Sequence, residues 1–443
     1  VANKDATFFS DLLAHRKSLT VDSSFLNAFG ETAAKVLPGL PVPTTKNEEW
    51  KYTNMSPLFR SSFVPFFEAN DNVTKDDLSE CEISEADGAR LVFVNGIYHP
   101  ELSSTSNLPD DVVLEPLATV TGIDEEVVRK ELGNHMRIEN DPFLYLNASF
   151  LQNGIYLNVP ANTKVETPVH FQFISTDTDD PFFAVPRCLI IGGQFSKFTI
   201  IEDYVGLGQA AYFNTPVVEI KLDDGAHLLH TRVQRESPEA FHVSRVGATL
   251  AKSSDYESYS VHIGSKISRN DVYSVLAGSE INCTLDGLVM IHDNQLSDTH
   301  TLMDHQQPYC TSHQLHKTLV DDKSHSVFNG KIYVHQAAQK TDSFQENRNL
   351  LLSKDGTVDT KPQLEIFADD VKCSHGATVG QFDADELFYL QSRGLSEDTA
   401  RQLLATGFAL DIIQRIPINS LQRQLGSAVN KFSNRNEEIE DLV

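Results

Sequence analysis

The sequence predicts a mainly β protein, with a long central region of short strands and helices confined to the two ends. Three observations carry this. From about residue 150 to 380 the chain runs in short alternating or β-branched segments such as "GIYLNVP", "VHFQFIS", "FTIIEDY", "VVEIKL", "KIYVHQ" and "QLEIFA", and no apolar stripe of helical period crosses them. A Gly-small-x-aliphatic tetrad recurs as "GAHL" at 225, "GATL" at 247, "GSKI" at 264, "GSEI" at 278 and "GATV" at 376, each predicting a turn that enters a strand. Helical stripes occur only outside this span. With no helices to cross over, a parallel sheet with interleaved helices is disfavoured, which leaves a solenoid or a large sandwich. The tetrads are spaced too irregularly for periodicity to name a β-helix.

Three parts follow along the chain. Residues 1–145 read as a mostly helical, mixed α/β domain. Phe8, Phe9, Leu12 and Leu13 make one apolar stripe, and "DSSFLNAF" starts a second helix behind capping residues at Asp22 to Ser24. The proline-rich "LPGLPVPTTKNEEWKYTN" breaks that pattern. "LVFVNGIY" at 91–98 sets Asn-Gly between apolar runs and predicts a hairpin, and "GIDEEVVRKEL" predicts another helix. Residues 146–380 form the strand-rich core. In residues 381–443, Asp383 with Glu386 fits a capping box ahead of "LFYL", and Gly394 suits the position after a helix end. Ala400, Leu403, Leu404, Phe408, Ile412 and Ile416 form a stripe that Pro417 ends. The final "NRNEEIEDLV" predicts a solvated acidic tail.

Composition excludes several classes of function. A net charge of −26 and a pI near 4.9 argue against binding nucleic acid or an anionic membrane surface, since phosphate contacts require a Lys/Arg surplus. No apolar run approaches the roughly 18 residues a membrane span needs, and "VANKDATFFSDLLAHRK" lacks a signal-peptide core, so a cytoplasmic protein is expected. The five cysteines, Cys81, Cys188, Cys283, Cys310 and Cys373, are dispersed, with no C-x-x-C. That argues against a disulfide scaffold and against a self-contained zinc or iron-sulfur site, and predicts mostly buried core thiols.

Twelve of the sixteen histidines lie between His227 and His375, which raises the question of a metal centre. His313 and His316 share a face only on a helix; on a strand they point to opposite faces, and a structural reading is preferred. Cys373 and His375, two apart in "ADDVKCSHGATVG", project to one face of a strand, and Lys372 and Lys361 nearby are expected to favour a thiolate. A buried structural pair and a metal-binding pair both remain open. Two donors do not complete a tetrahedral site, so a metal-binding pair requires ligands from another chain. No G-x-S-x-G, H-E-x-x-H, P-loop or G-x-G-x-x-G fingerprint occurs. The rival reading is a freestanding carbohydrate-active β-solenoid enzyme working with paired carboxylates, but the adjacent Asp369 and Asp370 would face opposite ways on a strand.

The run from "DTHTLMDH" through "YCTSHQLHKT", "VFNGKIYV", "QKTD", "NLLLSKDGTVDTKPQLEIFADDVKCSHGATVG" and "ELFYLQSRG", together with "KNEEWKYTN" at 46–54, resembles the SufB/SufD family of iron-sulfur cluster assembly proteins. A SufB-type chain would carry a cysteine in the strand after "NLLL", where this one has "SKDGTVDTKPQLEI", so the resemblance is nearer to SufD. It implies a right-handed parallel β-helix core flanked by an N-terminal mixed domain and C-terminal helices. It also implies a non-catalytic scaffold subunit in complex with a SufB-like homologue, paired through the β-helix, and a SufC-like ATPase bound by the C-terminal helices. The implied cargo is iron or a nascent iron-sulfur cluster, held by His375 with Cys373 beside it and shared with the partner's thiolate. The resemblance leaves room for a reduced flavin on the assembled complex.

Overall fold

The computed structural model describes residues 4–19, 21–67, 73–137, 140–152 and 154–434. The chain opens with α1 (Lys4–Ala14) and α2 (Ser24–Val36), whose N-cap Ser23 accepts a hydrogen bond from the Leu26 N–H. After α3 (Ser56–Arg60) and β1 (Val64–Pro65), β2 (Arg90–Val94) and β3 (Ile97–Tyr98) form the expected antiparallel hairpin. Asn95 and Gly96 take φ of 50° and 86°, the left-handed pair a two-residue hairpin turn demands. Next come β4 (Val113–Pro116), α4 (Gly122–Glu131) and α5 (Pro142–Ser149), the last capped by Asp141 with a proline in its first turn.

From here to residue 380 every described element is a strand: β5 (Ile155–Val159), β6 (Val169–Ser175), β7 (Phe182–Ala184), β8 (Arg187–Gly192), β9 (Lys197–Gly206), β10 (Phe213–Asn214), β11 (Val217–Leu222) and β12 (His227–Glu236). They continue as β13 (Phe241–Leu250), β14 (Asp255–Gly264), β15 (Ile267–Leu276), β16 (Asn282–Ile291) and β17 (Leu296–His305). The last are β18 (Thr311–Val320), β19 (His325–Val334), β20 (Asp342–Leu351), β21 (Thr357–Ile366) and β22 (Lys372–Gly380). Alternate strands stack in parallel into two sheets, one ordered β5-β8-β11-β13-β15-β17-β19-β21 and the other β6-β9-β12-β14-β16-β18-β20-β22. The result is a β-solenoid of about 8 turns rather than a sandwich.

The step between rungs varies from 26 residues between Phe241 and Ile267 to 33 between Ile155 and Cys188, which explains why no strict period was legible. Three tetrads mark turns as expected: Gly225 (φ 67°) before β12, Gly264 (φ 89°) before β15 and Gly278 before β16. The other two do not, because Gly247 lies inside β13 and Gly376 inside β22. At Gly247 the reason is packing rather than a turn: a Cβ there would collide with the backbone oxygen of His135.

The solenoid interior is apolar along much of its length, from Phe171 and Ile200 through Leu228 and Tyr256 to Cys283, Ile332 and Val334. The N-terminal helices cover the outer face of the first sheet, packing Phe8, Phe9 and Leu58 against Phe213, Phe241 and Val243. The strands β2 and β4 extend the two sheets at their starts, onto β6 and β5. At the far end β21 and β22 each pair on one side only, so the solenoid ends open.

The C-terminal helices α6 (Ala384–Ser392), α7 (Glu397–Ile413) and α8 (Asn419–Ser433) cover the outer face of the second sheet. Asp383 caps α6 by accepting from the Asp385 and Glu386 N–H groups, and Gly394 takes φ 95° after it, both as expected. Of the expected stripe, Ala400, Ile412 and Ile416 are fully buried and Phe408 packs beside them, but the contact face is broader and shifted at Leu403. Ala405, Ala409, Ile412 and Ile413 face the solenoid, whereas Leu403 is 53% exposed, because the alanines allow the helix to approach the sheet closely. Helix α8 was not anticipated, although Leu421, Leu425, Val429 and Phe432 make a clear stripe on it. Most of the acidic tail, residues 435–443, lies outside the described residues.

Candidate functional site at the open end

In a solenoid with parallel in-register strands, one inward-facing column per position runs through successive rungs. On the second sheet one such column reads Tyr256, Cys283, Ser312, Ser343 and Cys373, and the next reads Ser258, Leu285, Gln314, Gln345 and His375. Cys373 and His375 therefore do share a face, the inward one, on the last and unpaired rung. Cys373 is half-buried against the solenoid core, and His375 is exposed. Across the mouth, β21 directs Thr360, Pro362 and Leu364 into the interior, in register with Phe328, Gly330 and Ile332. No thiol faces the pair from this strand.

The thiol is not activated. Burial, with Asp342 beside it, pushes Cys373 above its ordinary range, and the expected help from Lys361 is absent because that ammonium is engaged by Glu48. The remaining cysteines are buried and free, as expected, with Cys283 pushed up to about 12 and Cys81 to about 11 by desolvation.

Apart from the exposed His313, the other histidines of the solenoid are buried or paired with acids. His313 points outward and His316 inward, as strand geometry requires, and burial pushes His316 down to about 3. His305 donates to or accepts from Ser312 Oγ at 2.9 Å and is driven by burial to about 4. His230 is held between Glu202 Oε1 (2.7 Å) and Tyr256 Oη (3.0 Å). His300 lies on the outer face against Asp298 (2.9 Å) and Glu49 (3.4 Å). Among the described residues the one group of three clustered donors is His292, Asp293 and Asp322, at the corners before β17 and β19, and it does not include His375 or Cys373. The open end thus offers a metal two side chains and no third.

The "KNEEWKYTN" segment is a strap across the outer face of the first sheet, and nothing in its sequence foretold this. Trp50 stacks on the Arg269 guanidinium at 3.9 Å from its ring centre, Thr53 donates to Asp298 at 2.5 Å, and Glu48 pairs with Lys361 on the edge strand β21. The signal was present only as an isolated tryptophan among charges in a proline-rich linker.

On the opposite face, α6 buries no residue at all; Phe388 and Tyr389 are 71% and 56% exposed, beside Leu403. Helix α7 is pinned to the sheet by Lys317 to Asp411 (2.7 Å) and Arg415 to Asp286 (2.8 Å). Asp369 and Asp370 lie in the loop before β22, where Asp370 is ion-paired with Lys340, and they form no carboxylate pair for hydrolysis. No described helix is long and apolar enough to cross a membrane.

Comparison with known proteins fits this architecture. The profile described as "SUF system FeS cluster assembly, SufBD core domain" matches residues 173–408, and that described as "SufBD protein N-terminal region" matches residues 4–171. An iron-sulfur cluster assembly SufBD family protein of Synechocystis sp. is 36% identical over 419 residues, covering 93% of this chain and 92% of the relative. Iron-sulfur cluster assembly protein SufD of Escherichia coli is 33% identical over 386 residues (87% and 88%), and that of Bacillus subtilis 26% over 438 residues (93% and 98%). With similarity running from the N-terminal helices through the solenoid into α7, the chain belongs to the SufB/SufD family of iron-sulfur cluster assembly proteins, with relatives of the SufD type.

Proposed function

We propose that this chain is the non-catalytic SufD-type subunit of a cytoplasmic scaffold complex, and that iron or a nascent cluster is assembled where the open end of its solenoid meets a SufB-like homologue. One observation carries the reading: β21 and β22 leave their outer edges unpaired, and the inward donors Cys373 and His375 sit on that uncovered rung. Unpaired edges of long strands attract another chain's backbone, so a partner solenoid is the natural cover. Imidazole binds iron without first losing a proton at neutral pH, whereas the Cys373 thiol, held protonated by burial, does not. His375 is then the donor on this side, and a thiolate from the partner completes the site. Exposed Phe388, Tyr389 and Leu403 form an apolar face suited to docking a SufC-like ATPase, whose closure would pull on α7 through the Lys317 and Arg415 anchors.

The test is in-cell cluster maturation in a strain lacking the native protein, with complex assembly checked by co-purification. His375→Ala is expected to impair maturation strongly, and His313→Ala, an exposed histidine on the outer face, to leave it intact. Full activity of His375→Ala in an intact complex would return this histidine to a structural role.

A further inference from the structure

Gln345 lies one rung beneath His375, in register with it, and is fully buried. Neither its amide oxygen nor its amide nitrogen has a hydrogen-bond partner. Its carboxamide crosses the interior to the opposite sheet, into space left by Gly330, where a Cβ would overlap Gln345 Nε2. Buried polar groups are normally paired, so an amide left without a partner at both its oxygen and its nitrogen has hydrogen-bonding capacity to spare for a neighbouring group. The fold does not demand an amide here, because the same inward column holds Ile200 and Leu285 in earlier rungs. Amides appear only in the two rungs beneath His375, and the lower one, Gln314, is anchored by Thr301 at 2.8 Å.

We propose that Gln345 is a positioning residue for the iron donor: its Oε1 accepts the ring N–H of His375, directly or through one water, and so turns the other ring nitrogen, with its lone pair, out of the mouth. Adjacent strands are about 4.8 Å apart, a gap that a glutamine side chain spans. A histidine that ligates a metal characteristically donates its second ring N–H to an oxygen acceptor, which fixes tautomer and orientation. The inward-facing groups around the mouth include Thr360, Pro362, Leu364, Ser343 and Asn347, none of them a carboxylate; Thr360 Oγ1 on the opposite strand is also without a partner, and Gln345 Oε1 is the unpartnered acceptor in register beneath His375.

This inference rests on His375 being the iron donor, yet it is measured without iron. In the full chain with ring-labelled histidine, at about pH 8 so that an ordinary imidazole is neutral, the His375 ring nitrogens are expected to report one dominant tautomer. Gln345→Leu, and independently Gly330→Ala, which displaces the carboxamide, should both move the ring signals toward the tautomer mixture of a free imidazole. Gln345→Glu, which keeps an acceptor, should retain the single tautomer. Gln345→Met replaces the leucine variant if the latter does not fold. In the assembled complex the leucine variant should lose about tenfold or more in iron affinity. Unchanged His375 ring signals in a folded Gln345→Leu or Gln345→Met protein would overturn the role of Gln345 while leaving the iron assignment standing. Full maturation by His375→Ala would overturn the iron assignment and with it the purpose of the contact, while the tautomer readout would still decide whether Gln345 and His375 interact.

Discussion

Arg269→Met is expected to release the Trp50 strap. The Arg269 guanidinium is almost wholly buried and donates through Nε and Nη2 to Asp271 (3.0 Å each) and through Nη1 to Asp298 (2.9 Å) and the Glu49 carbonyl (2.5 Å). Methionine fills similar space and keeps a contact with the indole, but it removes one of two cationic partners from each acid: Asp298 keeps His300 (2.9 Å) and Asp271 keeps Arg245 (2.6 Å). Removing one partner of a buried pair costs about 3–5 kcal/mol, and a desolvated cation–π contact adds about 2 kcal/mol, of which a sulfur–aromatic contact restores about 0.3–1.5 kcal/mol. Because Arg245 and His300 still face the two acids, the low end of the pair cost applies, and a net loss of about 4 kcal/mol follows. Trp50 is the chain's single tryptophan, so its fluorescence in a urea titration reports strap docking directly. Arg269→Lys, which keeps the charge without the planar fork, should fall between the two. A loss below about 1 kcal/mol, the range of an exposed ion pair, would refute the claim that this cluster holds the strap.

The same cluster sets a pH window. Against the burial that would raise it, His300 and Arg269 hold Asp298 below the carboxylate range, while the His300 hydrogen bond lowers Glu49; these contributions are present above about pH 4 and are lost as pH falls further. Burial and Arg269 push His300 down, but Asp298 and Glu49 outweigh them, so its contribution is present below about pH 6.5 and is lost as pH rises through the higher folded value. The Trp50 transition should therefore be most urea-resistant between these limits, and a flat profile would contradict the assignment. Ile412→Ala, at a fully buried position in the seam between α7 and the second sheet, should destabilise by about 2–5 kcal/mol in chemical denaturation. Because α7 and α8 bury Ile413, Leu421 and Leu425 on the solenoid, removing the whole C-terminal region would strip that sheet. Phe388→Glu with Leu403→Glu is the cleaner test of ATPase docking: co-purification should be lost with the thermal midpoint unchanged, and retained binding would count against this face.

Local patterns in the sequence determined the element types. Period-two strands, the Asn95-Gly96 turn, the Ser23 and Asp383 caps and the dispersed thiols are all written in residues close together in the chain, and the i, i+2 spacing of Cys373 and His375 decided that they share a face. Tertiary structure decided which face that is, and at which end. Register between strands about thirty residues apart comes from stacking rungs of unequal length, so no local window shows that Gln345 lies beneath His375, or that Trp50 reaches Arg269 across 219 positions. The added contacts of α7 have the same origin: beside the expected Ala400, Ile412 and Ile416, Ala405 and Ala409, which look indifferent in sequence, join the contact face once a sheet lies beneath them. Burial likewise reversed the expectation for Cys373, because the charge environment of a thiol depends on which lysines are already paired, and Lys361 is held by a glutamate more than three hundred residues away.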